Sequence, residues 1–270
     1  MWASLRSGVW LTDRRLFTYP RIMLGVIVLA TFVWVGMSDG LIDPNGKPLG
    51  TDFSNVYAAG KLTLQGEPAA AYDPVRQYAV EREMFGGRDV PYYGWHYPPF
   101  FLFVAALLSM LTYGWALFAW LALTLLGYLA ALRAIVPRAE TVLIAVAFPA
   151  VLINLGHGQN GFLTLALLGG SLVLLDRKPV VAGILIGLLA YKPQFGVLIP
   201  LVLVATGRWQ VFAAAAATVM AAFVVTIAAF GIEIWQGFAE STVFTREVVL
   251  EAGNTGWQKI QSIFSATRMW

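Results

Sequence analysis

The chain has 270 residues, 59% hydrophobic and only 12% charged, against about 25% charged in a soluble domain, which places it in the membrane class. It has no cysteine, so a disulfide framework and a thiolate metal site are excluded, and two histidines, His96 and His157, argue against a histidine metal cluster. The net charge of +3 is not read as nucleic-acid affinity; basic residues of membrane proteins collect in cytoplasmic loops.

Residues 1–21 carry Arg6, Arg14, Arg15 and Arg21 against one acid, Asp13, which predicts a cytoplasmic N-terminus. The apolar run Ile22–Met37 is longer than a signal-peptide core and no small-residue cleavage site follows it. It reads as an uncleaved first span over residues 22–38, crossing outward.

The polar segment from Asp39 to Tyr97 holds eight acids and five bases and is expected on the outer side. Turn chemistry at Asp43-Pro44-Asn45-Gly46 opens it. A short helix over 53–65 follows, with Asp52 or Thr51 as its N-cap and Gly66 at its end. A second begins at Asp73-Pro74 and stops at Gly86-Gly87. Two short amphipathic helices in such a loop are expected to lie in the membrane interface. The loop closes on Tyr92-Tyr93-Gly94-Trp95-His96-Tyr97-Pro98-Pro99, an aromatic belt leading into a helix start.

No charged residue lies between Asp89 and Arg133. Apolar runs 99–111 and 115–136 fill that stretch, and the charge bias requires them to cross an odd number of times. The shorter run, about 20 Å long as a helix, is the candidate for a re-entrant segment. Runs 141–155 and 161–175 are joined by Gly156-His157-Gly158-Gln159-Asn160. Runs 180–191 and 195–206 are broken at Lys192-Pro193-Gln194, and 210–230 forms a further span ending at Gly231. The tail, 231–270, is mixed and partly amphipathic, expected at the outer face or interface. The whole is read as a single membrane domain, 1–270, with residues 98–230 as its transmembrane bundle.

Lys192 is the sharpest candidate for chemistry. Ionisable groups at membrane depth usually face a cavity or partner, and broken helices often mark binding sites. A cation holding a phosphate is one reading; a lysine at a hairpin tip, snorkelling to water, is the other. The turn at 156–160 offers His157, Gln159 and Asn160 to sugar hydroxyls or a phosphate at a helix start. Its bland alternative is a tight loop with Asn160 as N-cap. Asp52, taken alone, reads as a helix cap, and His96 as an interfacial histidine bonded to backbone. Dinucleotide, Walker and metalloprotease motifs are absent, as is any acidic pair spaced for a divalent metal.

Several of these short motifs occur together in one family. Thr51-Asp52-Phe53 leading to Tyr57-Ala58-Ala59-Gly60, Tyr72-Asp73, Tyr97-Pro98-Pro99-Phe100, Gly158-Gln159-Asn160 and Ala190-Tyr191-Lys192-Pro193-Gln194 make the chain resemble the polyprenyl-phosphate-sugar-dependent glycosyltransferases of family 87, over residues 20 to 210. The family includes mannosyltransferases that extend phosphatidylinositol mannosides. The resemblance implies an all-α integral membrane protein, a GT-C-like multi-span bundle with a long outer loop, in a bacterial plasma membrane with its active site on the outer face.

It also implies that Asp52 is the catalytic base. Lys192, Gln194, His157, Gln159, Asn160, His96, Tyr97 and Tyr57 are then the expected substrate-binding residues. The implied partners are a polyprenyl-phosphate-linked sugar donor, a lipid or glycan acceptor and the membrane lipids, with neither cofactor nor metal required. Family members continue with further helices, so the family's C-terminal part is expected to be missing or divergent here. A transporter or flippase for a lipid-linked or polar solute is the rival reading. It too explains an intramembrane lysine and a broken helix, but not the long outer loop with an aspartate at its start.

Overall fold

A computed structural model describes residues 12–253 and 263–269, together with positions 6, 8 and 10. Part of the expected N-terminal segment and of the tail, including 254–262, lies outside the described residues. The described residues are helical, with two isolated bridges, Asp39–Ile42 and Ile42–Pro48, pinning the start of the polar segment.

Helix α1 (Asp13–Gly36) begins earlier than its apolar run because Thr12 caps it, accepting a bond from the Arg15 amide. At 1.5 Å per residue its 24 residues extend about 36 Å, more than the roughly 30 Å of a bilayer core. Among the described residues three helices are long and apolar enough to cross a membrane: α1, α5 (Tyr113–Ile135) and α11 (Trp209–Phe230). A fourth span is available if α6 (Glu140–Val146) and α7 (Pro149–His157) act as one, bent by 53°. The bend lies just before Pro149, which has no N–H to continue the ladder and starts α7 at its first position.

Between α1 and α5 lie α2 (Thr51–Leu64), a 3₁₀ turn (Pro68–Tyr72), α3 (Pro74–Met84), a second 3₁₀ turn (Pro99–Phe101) and α4 (Leu102–Ser109). The two short helices of the polar segment therefore stand where the sequence puts them. Asp73 caps α3 as expected, its Oδ1 accepting from the amides of Val75 and Arg76. The surroundings of α2 are protein on most sides, however. Ten of its fourteen residues are buried, with Phe53, Ala58, Ala59 and Leu62 fully so.

The cause is a small-residue contact. A Cβ added to Gly60 would lie 2.1 Å from the carbonyl oxygen of Ala105, so α2 and α4 meet backbone to backbone. Ser109 Oγ donates to the Tyr57 carbonyl and Tyr57 Oη donates to the Leu111 carbonyl, tying the pair together. Run 99–111 thus becomes a short helix docked on α2, too short to cross alone.

Small residues set the rest of the bundle too. Gly127 and Gly169 let α5 approach α8 (Gly161–Leu174) at Ala166 and Ala131. Gly183 and Gly187 let α9 (Pro179–Leu188) lie against Ala214 and Thr218 of α11. Without a hydrophobic drive between helices in lipid, such close van der Waals approach is what holds them. After α9 comes a 3₁₀ turn (Leu189–Tyr191), the break at Lys192-Pro193, and α10 (Phe195–Ala205). The tail contributes α12 (Glu233–Phe244), a π-helical stretch (Thr245–Glu251) and α13 (Ile263–Arg268). Phe238 of α12 packs edge-on against Tyr72, so α12 returns to the side of the bundle that carries the polar segment.

Candidate active site

The site begins with two glycine turns that touch. Gly50 takes the left-handed conformation (φ 73°) and is the N-cap of α2; its carbonyl receives the amides of Phe53 and Ser54. Tyr113 Oη donates to the carbonyls of Leu49 and Gly50 at 2.7 and 3.2 Å, fixing the approach to the helix. Helix α2 therefore starts two residues before the expected position. Asp52 is its second residue, not its cap, and no side chain caps the helix. That corrects the local reading of Asp52 and Thr51: the carboxylate is not engaged with backbone amides at the helix start and is available elsewhere.

Across from it, α7 ends at His157 and Gly158 turns with φ 63°. The Gln159 amide returns to the Asn154 carbonyl at 3.1 Å. Two side chains brace this turn: Trp120 Nε1 donates to the Gly158 carbonyl at 3.0 Å, and Asn154 Nδ2 donates to the Gln159 carbonyl at 3.0 Å. Gln159 Nε2 then reaches Asp52 Oδ2 at 2.5 Å. Thr51 Oγ1 and His157 Nδ1 lie 2.6 Å apart and form a second link between the same two turns.

Asn160 stands at the N-cap position of α8 but does not cap it. Its Nδ2 donates instead to Tyr97 Oη at 2.6 Å. Tyr97 sits over Phe101 (ring centroids 4.9 Å apart), and Phe101 stacks on Tyr191 at 5.0 Å. Tyr191 is anchored by Thr164, with the two hydroxyls 2.5 Å apart. Lys192 follows, half-buried, its Nζ 5.9 Å from the Tyr191 ring. It belongs to no ion pair among the described residues.

These pieces enclose a cavity of about 160 Å³ lined by Asp52, Val56, Tyr97, Trp120, Gly158, Gln159, Asn160 and Lys192. That is smaller than the roughly 300–1,000 Å³ of a site that swallows a whole ligand, and it suits one polar moiety of a larger molecule. It offers one carboxylate, one ammonium, two amides and a phenol. Among the described residues no group of three or more histidines, aspartates and glutamates converges as a metal would require.

The family model for glycosyltransferase family 87 matches residues 95–270. The chain belongs to glycosyltransferase family 87. It is a membrane glycosyltransferase, acting with a sugar donor and an acceptor. No curated protein and no solved structure matches it. The family match overlaps the motif resemblance over residues 95–210 and continues through the tail. It contains Tyr97, Trp120, Gln159, Asn160 and Lys192, whereas Asp52 precedes it. In this family 87 chain the matched region thus supplies most of the cavity, and α2 brings the carboxylate to it.

Of the expected site residues, the fold brings Asp52, Lys192, Gln159, Asn160 and Tyr97 to one cavity. His157 stands beside it, paired with Thr51. Three others are placed elsewhere. Tyr57 is buried, its hydroxyl bonded to the Leu111 carbonyl in the α2–α4 contact. His96 Nδ1 lies 2.9 Å from Thr245 Oγ1, joining the aromatic belt to the π-helical stretch. Gln194 is exposed at the start of α10 and does not line the cavity. Trp120 lines it without having been singled out in the sequence. Its signal is faint but present: Tyr113, Ala116, Trp120, Thr124 and Tyr128 recur at helical spacing on the buried face of α5, a polar-tipped stripe in an otherwise apolar helix.

Proposed function

We propose that this glycosyltransferase moves a hexose, mannose in the reading favoured here, from a polyprenyl-phosphate donor to a hydroxyl of a lipid-linked or glycan acceptor, with inversion. The observation that carries the reading is the meeting of Asp52 and Lys192 on one small polar cavity in an apolar helical protein. A single displacement needs a base on the acceptor side and electrostatic help on the leaving side. Asp52 takes the proton of the acceptor hydroxyl as its oxygen attacks the anomeric carbon. The bond from that carbon to the phosphate oxygen breaks, and its electron pair leaves on the phosphate, which faces the Lys192 ammonium. A phosphate is a stable anion, so the leaving group needs no acid. One carboxylate suffices, unlike the pair of a glycosidase.

A lipid-linked donor is supported by a second feature. An apolar cavity of about 790 Å³ adjoins the Lys192 break, lined by Pro98, Ala190, Pro193, Phe195, Ile199 and Trp235 among others. A prenyl chain lying there would enter from the bilayer with its phosphate beside Lys192. The site is read as facing the outer side of the membrane, where the acid-rich segment 39–97 belongs.

Purified protein in nanodiscs, given polyprenyl-phosphate mannose and alkyl mannoside acceptors, tests the proposal. Transfer is expected, with the opposite anomeric configuration in the product by NMR. Retention of configuration, or hydrolysis without transfer, would overturn the mechanism. An absence of turnover with any polyprenyl-phosphate hexose, in protein that remains folded, would overturn the donor class.

A further inference from the structure

We infer that Gln159 is the positioning residue of the Asp52 base, holding one carboxylate oxygen so that the other faces the acceptor and keeping the base apart from Lys192. The inference rests on the transferase reading above and concerns how its two charged groups coexist. From sequence, Gln159 is a candidate sugar ligand. In the fold its Nε2 is already engaged, donating to Asp52 Oδ2 at 2.5 Å. An amide used in this way is a poor free ligand for a sugar but a good orienter of a carboxylate. It donates one directed bond, carries no charge, and neither takes up nor releases a proton near neutral pH.

The arm that holds it is built for constancy. Both carbonyls of the 158–159 segment are gripped by buried side chains, Trp120 on Gly158 and Asn154 on Gln159. The Gly158 turn is pressed against α2: a Cβ there would stand 2.7 Å from Phe53 Cβ and 3.3 Å from Gly50 Cα. Asp52 sits one residue before Phe53, so the amide and the carboxylate start from backbones already in contact.

The need for such an arm follows from the cavity's contents. Asp52 and Lys192 line the same space of about 160 Å³ and carry opposite charges. Left alone in one small cavity, opposite charges attract one another into direct contact. An Asp52–Lys192 ion pair would remove the base from the acceptor and the cation from the leaving phosphate together. A neutral donor on Oδ2 meets part of the carboxylate's hydrogen-bonding need without an ammonium, and Lys192 stays unpaired.

Three variants test this in the nanodisc assay with polyprenyl-phosphate mannose. Gln159→Ala is expected to lower kcat by on the order of 10²-fold, the cost of a misplaced reacting group, with the donor KM little changed. Gln159→Glu sets a second carboxylate against Oδ2. Two carboxylates in contact share a proton, so the acid limb of the pH–rate profile moves upward relative to wild type. A role confined to holding the turn would not move that limb. A raised donor KM with kcat unchanged in Gln159→Ala would return Gln159 to the sugar and overturn the inference, as would an unmoved limb in Gln159→Glu.

Asp52→Asn separates this from the underlying reading. If it is fully active, the base assignment falls; if it is inactive while both Gln159 variants match wild type, only the positioning role falls. Infrared spectra with isotope-labelled aspartate need no substrate at all. The carboxylate band lost in Asp52→Asn is expected to shift in Gln159→Ala, and a band that stays in place would overturn the inference.

Discussion

Gly158 and Phe53 stand so close that a single added methyl on the glycine would fall 2.7 Å from the Phe53 Cβ. This contact joins two segments more than a hundred residues apart and aligns the carboxylate of α2 with the polar turn between α7 and α8. Gly158 is doubly constrained, by that contact and by its positive φ of 63°. Left-handed backbone costs a non-glycine residue of order 1–3 kcal/mol before any clash is counted. Gly158→Ala is expected to lower the thermal midpoint and also to cut turnover more than the stability loss explains, because Gln159 is displaced from Asp52. Turnover measured well below the midpoint separates the two effects. Full activity there would show that the contact does not govern the site.

The two charged groups of the cavity should respond differently to removal. In the proposed mechanism Asp52→Asn preserves shape and abolishes the base; a positioned base contributes about 10²–10⁴-fold, and kcat should fall within that range with donor binding intact. Lys192→Ala removes the cation proposed to face the leaving phosphate and should reduce kcat by roughly 10²–10³-fold, together with weaker donor binding. Lys192→Arg keeps the charge and should recover part of the loss. Equal behaviour of Lys192→Ala and wild type in a donor-binding titration would remove the phosphate role.

Much of this arrangement was legible in the sequence, for identifiable reasons. Breaks written in glycine and proline are local signals, and they stand at Gly158, at Lys192-Pro193 and at Pro98-Pro99, where helix ends meet the site. The charge drought from residue 90 to 132 likewise marks the apolar run that becomes α4 and α5. What the sequence hides is the choice among alternatives that only packing makes. Asp52 reads as a cap because aspartates before helices usually are; Gly50 takes that position because Tyr113, sixty-three residues on, holds its carbonyl. Tyr57 is expected at the substrate from the family resemblance, yet Gly60 draws α2 onto α4 and the tyrosine hydroxyl bonds the Leu111 carbonyl. Run 141–155 reads as unbroken although Pro149 bends it.

The α2–α4 contact gives its own test. A methyl at Gly60 would meet the backbone oxygen of Ala105 at 2.1 Å, a position no rotamer change can relieve. Overpacking of a tight contact typically costs about 1–3 kcal/mol, and a rigid backbone neighbour sets this case at the upper end. Gly60→Ala should therefore lower the thermal midpoint markedly and, by shifting α2, reduce turnover as well. A variant at exposed Gly66, with open space around it but positive φ, serves as a control for strain without a clash. If Gly60→Ala is no worse than Gly66→Ala, the helices do not meet as closely as described.

Glu81 offers a pH signature independent of the active site. It is fully buried between α3 and the aromatic belt. Its Oε2 accepts the Tyr93 amide at 3.1 Å, while Oε1 has no partner among the described residues, and neither does the nearby Gln77 Oε1. Burial pushes its carboxyl pKa up to about 8, against the opposing pull of the Tyr93 amide. The folded protein therefore binds this proton more tightly than the unfolded chain, whose carboxyl titrates near 4.5. The sign follows by linkage: the stabilising contribution is complete below about pH 4.5 and is lost as pH rises towards 8, at about 1.4 kcal/mol per pH unit at most. Glu81→Gln keeps the shape and removes the titration. Thermal midpoints taken from pH 5 to 9 should fall in the wild type and hold nearly level, from this source, in the variant. Parallel curves would mean that Glu81 stays ionised in the fold and that a partner for its second oxygen exists.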